Sequence, residues 1–107
     1  MSVGDAIVVL TTAGCHDEAA TIAASLVDRR LAACVQVVPG VTSYYRWEGA
    51  VERSEEWLLV VKTTAERYND VEHAIREGHS YAVPEVVRLT VDGGSAAYLD
   101  WLRQSVP

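Results

Sequence analysis

Basic residues are scarce in this chain, cysteines are scarcer, and no apolar run approaches the length of a membrane span. Nine Lys and Arg stand against fifteen Asp and Glu in 107 residues, a formal charge of −6. Such a surface repels polyanions and offers no basic stripe for phosphates, which argues against nucleic acid as a partner. Cys15 and Cys34 are too few for a disulfide framework and are read as reduced thiols. The opening "MSVGDAIVVLTTAG" lacks a basic leader with an apolar segment and cleavage site, so a soluble cytoplasmic protein with no membrane partner is expected. Repeats, linkers and low-complexity segments are missing too. No nucleophile elbow, H-E-x-x-H helix, Walker A loop or G-x-G-x-x-G fingerprint occurs, and the chain is not expected to be an enzyme.

Half of the residues are hydrophobic. A chain of this size makes one domain, residues 1–107, and buries roughly 60 to 70% of its unfolded surface. The apolar excess leaves material for a subunit interface.

The run Ala6–Thr12 is apolar and β-branched, as a strand buried on both faces should be. Ala19, Ile22, Ala23, Leu26 and Arg30 recur at helical spacing, which predicts a helix over 17–31 with Asp17 as N-cap. Cys34–Val38 and Val41–Trp47 read as one long strand bent at Pro39-Gly40 by a bulge. A tight turn over Glu48–Val51 leads into "EEWLLVVKTT", which makes a β-hairpin. Helical spacing returns over 65–78, with Gly78 as a C′ stop. A strand over 86–91 and a short helix carrying Ala97, Tyr98, Trp101 and Leu102 close the chain. The order β-α-β-β-α-β-α is that of a ferredoxin-like split βαβ sandwich, an α+β fold with an antiparallel sheet. Both main helices should cover one sheet face and leave the other without cover in this chain. The third strand is nevertheless apolar on both faces, through Leu59 and Val61 on one side and Leu58 and Val60 on the other, so the bare face should meet another subunit.

Three stretches collect chemistry. "GCHDE", Cys15–Glu18, is crowded with metal-capable types, yet adjacent side chains at a helix start diverge, and capping explains Asp17 and Glu18. In "SYYRWEG", Tyr45 and Trp47 fall on one strand face and Tyr44 on the other, an arrangement suited to packing at a subunit contact. "GHSYAVPE" is a helix-to-strand connection in which Gly78, Val83 and Pro84 have structural reasons to be present, whereas His79, Tyr81 and Glu85 suggest the rim of a cleft.

With "VVLTTA", "LAACVQVVPGVTSYYRWEG", "EEWLLVVKT", "HSYAVPE" and "YLDWL" in this order, the chain resembles the CutA family of divalent-cation-tolerance proteins along nearly its whole length. The resemblance implies a ferredoxin-like fold assembled as a homotrimer. It also implies intersubunit clefts lined by Cys34, Trp47, Glu56, Lys62 and His79, joined here by Tyr81 and Glu85. Copper or zinc would suit such a set, with His79 as the metal ligand. Ser80 and Ala82 stand where the family motif has Pro and often Glu, and restoring the proline by Ser80→Pro should stabilise a loop of suitable backbone conformation. By fold-level analogy to the PII regulators, the alternative is a signalling trimer that binds a small anionic metabolite near Lys62 and His79.

Overall fold

A computed structural model describes residues 5–107, so the first four residues of the expected domain lie outside the described part. Strand β1, Ala6–Ala13, is paired antiparallel to β3 on one edge and β4 on the other, and its residues are buried or half-buried on both faces, which is why its sequence is apolar without alternation. Helix α1, His16–Asp28, starts earlier than the sequence suggests, with Cys15 as N-cap making no side-chain bond. It also stops earlier than residue 31. Arg30 adopts a left-handed φ of 57°, and the N–H groups of Arg30 and Leu31 return to the carbonyls of Val27 and Leu26. This is a Schellman ending without glycine, and it turns Leu31 into the core beside Leu26.

Strand β2, Cys34–Trp47, pairs along its length with β3, Ala50–Thr64. Their register shifts between Val38 and Val41, so the expected bulge at Pro39-Gly40 is present, with Gly40 at φ 75°. The expected turn is shorter than 48–51. Glu48 and Gly49 alone make it, both at positive φ as a type I′ hairpin requires, and Trp47 pairs directly with Ala50. The third strand thus begins five residues before Glu55, and the hairpin runs on beyond β1, whose pairing stops at Trp57.

A 3₁₀ turn, Ala65–Arg67, precedes α2, Tyr68–Gly78. Gly78 does not adopt the left-handed conformation of a C′ glycine. A Cβ there would sit 3.3 Å from Ile22 Cγ1, so the glycine instead permits close approach of α1. Strand β4 is short, Val87–Thr90, and α3 spans Ala96–Ser105 with Ser95 Oγ accepting from the Tyr98 N–H. The sheet order is β2-β3-β1-β4, as a ferredoxin-like α+β sandwich requires.

Ile22 and Leu26 of α1 and Val71 and Ile75 of α2 pack on Ile7, Val9, Leu59 and Val61. Full burial of each such side chain contributes roughly 1.5–3 kcal/mol, so this layer holds the helices to the sheet. The opposite face is not wholly bare as the sequence suggested. After β4 the Val91 N–H donates to the Ala6 carbonyl, and the chain then folds α3 over Ala6 with Leu99 and Leu102 buried. Of the residues by which the sequence marks this helix, Leu102 is buried, whereas Tyr98 and Trp101 stay about half exposed. Beyond α3 the face remains open, with Val38 41%, Val87 47% and Leu89 53% exposed.

Candidate functional site

The site lies where the α2–β4 connection passes the end of β1. His79 follows the last residue of α2, and its side chain is fully buried. Its Nε2 donates to the Thr12 carbonyl at 2.5 Å, and its Nδ1 accepts from the Tyr81 N–H at 3.1 Å. Both ring nitrogens are therefore engaged within the chain, and neither offers a lone pair to a metal in this arrangement. Glu18, from the first turn of α1, accepts from the Ser80 N–H through Oε1, while its buried Oε2 lies 3.5 Å from His79 Nδ1 with no hydrogen bond.

This bracing aims Tyr81 at β3. The His79 and Tyr81 rings lie 4.6 Å apart, and the Tyr81 hydroxyl donates to Glu56 Oε2 at 2.8 Å. Burial first, and then the Glu56 carboxylate that accepts its proton, push the Tyr81 hydroxyl well above the usual phenol range. It is a committed donor. Gly14 makes this path possible, because a Cβ there would stand 2.9 Å from the Tyr81 hydroxyl oxygen.

Glu56 is 6% exposed and lines a cavity of about 610 Å³. One wall is the hairpin, Ser43, Tyr44, Tyr45 and Trp47; the other is the connection from Tyr81 to Glu85; Thr12 lies between them. As expected, Tyr45 and Trp47 share one strand face and Tyr44 is on the other; the pairs Tyr45–Glu52, Trp47–Ala50 and Val41–Glu56 put Glu56 on the face of Tyr45 and Trp47. Tyr45 is further held by a 2.7 Å hydrogen bond to Ser54.

Of the residues singled out by sequence, the structure gathers Trp47, Glu56, Tyr81 and Glu85 around one cavity, with His79 directly behind Tyr81. Cys34 and Lys62 are cross-strand neighbours six residues further along β3, about 20 Å of strand from Glu56. There Lys62 Nζ lies 5.8 Å from the centre of the Tyr98 ring. One chain does not bring these two groups together. Among the described residues, no three of His, Cys, Asp and Glu converge as a metal site would require. "GCHDE" does not converge on one point: His16 Nδ1 lies 3.4 Å from the exposed Asp17 carboxylate and its ring is edge-on to Trp57, while Cys15 is exposed and Glu18 turns inward. From sequence, Glu18 reads only as a helix-start residue and Gly14 is given no role. A signal for Glu18 was present, since 18, 22 and 26 form one i, i+4 row ending in buried Ile22 and Leu26.

Fold and cavity together define a ferredoxin-like α+β protein with an acidic, aromatic cleft at one end of its sheet. The chain belongs to the CutA family: a family model described as CutA1 divalent ion tolerance protein matches residues 7–105. The divalent-cation tolerance protein CutA of Thermus thermophilus is 48% identical over 98 residues, covering 92% of this chain and 95% of that protein. The solved structure of the protein from that organism superposes with a TM-score of 0.93 at 46% identity, over 95% of this chain and 99% of that one. CutA1 from Oryza sativa gives 0.94 at 37% identity, over 99% and 98% of the two chains. The chloroplastic CutA of Arabidopsis thaliana is 41% identical over 92% of this chain, which spans 54% of that longer protein.

Proposed function

We propose that this chain works as a cytoplasmic, non-enzymatic homotrimer in divalent-cation tolerance, each subunit a single CutA-like domain, with copper or zinc held in clefts between subunits. The observation that carries the assembly is the open apolar sheet face, where Val38, Val87 and Leu89 stay about half exposed beyond the reach of α3. The observation that favours a shared cation site is the incomplete donor set. Glu56 and Glu85 line the cavity of one chain, and among the described residues no third His, Cys, Asp or Glu converges with them, so the remaining donors are assigned to a second subunit. Cys34, partly exposed on β2, is the soft donor assigned to the neighbour, and Lys62 beside it closes the cleft. His79 is assigned to brace Tyr81 rather than to coordinate, because ligation would require it to release the Tyr81 N–H.

Calorimetric titration with CuSO₄ and ZnCl₂ tests this reading. Binding that weakens in Glu56→Gln and Cys34→Ser but survives in His79→Ala supports it; loss in His79→Ala alone would make that imidazole the ligand. The alternative of a small anionic metabolite has less support. No Lys or Arg lines the cavity, and Lys62 lies far along β3 from the His79 end in one chain.

A further inference from the structure

We propose that the cleft takes an organic ammonium ion, a protonated amine carried on a short apolar stem. This deepens the reading of the cleft as a cation site but does not depend on its holding metal. A bare divalent ion uses oxygen, nitrogen or sulfur donors at about 2 Å and has no need of aromatic walls or of a cavity near 610 Å³. Those are the dominant features here. Tyr45, Trp47 and Tyr81 supply ring surface, Val83 and Pro84 an apolar flank, and Glu56 and Glu85 the only formal charges in the lining.

The charge pattern selects the sign of the ligand. Two carboxylates with no lysine, arginine or histidine among the lining residues repel an anion and attract a cation. Aromatic faces attract cations as well, through the ring quadrupole, and tyrosine and tryptophan are effective in this. Glu56 adds a specific acceptor. It is almost wholly buried, Tyr81 occupies its Oε2, and among the described residues nothing donates to its Oε1. An ammonium N–H is a fitting donor to that oxygen, while the alkyl stem lies along Trp47 and Pro84. Tyr81, neutral and donating, cannot satisfy the second oxygen itself. It orients the carboxylate and leaves one acceptor oxygen on a residue that lines the cavity.

The test is a titration of the isotopically labelled full chain with butylammonium chloride, followed by NMR, with sodium butyrate as the size-matched anion. ZnCl₂ is titrated separately. Saturable shifts are expected at the Trp47 indole N–H and at residues 81–85 with butylammonium and not with butyrate. Glu56→Gln should weaken binding about tenfold or more. Glu85→Gln, on an exposed connection, provides a second carboxylate variant should Glu56→Gln fold poorly. The same ammonium could be a lysine side chain from a second copy, and Lys62 is the chain's only lysine. A gain in butylammonium affinity in Lys62→Met would identify that resident group, and unchanged affinity would identify a free amine. Equal shifts from butyrate, or no saturation with butylammonium, would overturn the proposal. Zinc binding in that same case would leave the metal reading intact, and butylammonium binding without zinc binding would remove the metal reading alone.

Discussion

At the scale of single residues, the cleft depends on how Tyr81 is held. Its hydroxyl donates to Glu56, and burial with that carboxylate raises its pKa above the ordinary 10.0. The folded state therefore keeps the phenol protonated where the unfolded chain ionises. Stability from this group is complete below pH 10 and declines as pH rises beyond it. Tyr81→Phe should cost about 1–2 kcal/mol at neutral pH, discounted because the ring is partly exposed, and should flatten the alkaline fall in a series of denaturant melts. Tyr68, raised in the same direction by burial and by Glu72, leaves a residual slope in that variant. Ser80 gives a second case. From sequence alone Ser80→Pro should stabilise the loop, but the Ser80 N–H donates to Glu18, and proline has no N–H to replace it. The entropic gain of about 0.4–1 kcal/mol is outweighed by loss of a hydrogen bond to a carboxylate worth about 1.5–3 kcal/mol, so the net expectation is a lower midpoint in urea.

Among the elements, those whose signals are local were legible in the sequence. The buried strand β1, the amphipathic stripe of α1 and the bulge at Pro39-Gly40 follow from side-chain period and backbone chemistry. Boundaries set by tertiary contacts were not. Helix α1 stops at Asp28 although the pattern continues, because packing of Leu31 beside Leu26 favours a Schellman ending even with arginine in the left-handed position. Arg30→Gly should thus raise stability by about 1 kcal/mol, read as a rise in thermal midpoint. Similarly, the charged first half of β3 gives little hydrophobic signal and is held by pairing with β2, as in the 2.8 Å bond from Thr42 to Glu55. For α3, the sequence placed Ala97, Tyr98, Trp101 and Leu102 on the helix; Leu102 is buried as that pattern suggests, but Leu99 joins it in place of the aromatic residues because the chain leaves β4 beside Ala6. The site was legible to the same extent. Tyr81 and Glu85 were readable as a rim from their place after a helix stop, whereas the wide separation of Cys34 and Lys62 from Glu56 depends on the β2–β3 register, which no local pattern carries.

For the whole molecule, two features point outward from a single chain. The sheet face beyond α3 is apolar and open, and the hairpin carries Tyr44 at 70% and Val51 at 65% exposure to its far end. Exposed apolar surface of this extent on a small domain calls for a partner, and a closed ring of identical copies covers it without leaving a new face open. A closed trimer is also what the proposed shared cation site requires, since that proposal assigns part of its donor set to a second subunit. Gly40→Ala tests the hairpin's part in this, since a φ of 75° suits glycine; a cost of about 1–2 kcal/mol and weaker self-association are expected, measured by chemical melts and sedimentation. The central claim is assembly itself, and light scattering on the eluting protein at micromolar concentration tests it most directly. The expected mass is about 35 kDa, three times the 11.7 kDa chain; a mass equal to that of one chain would contradict the account.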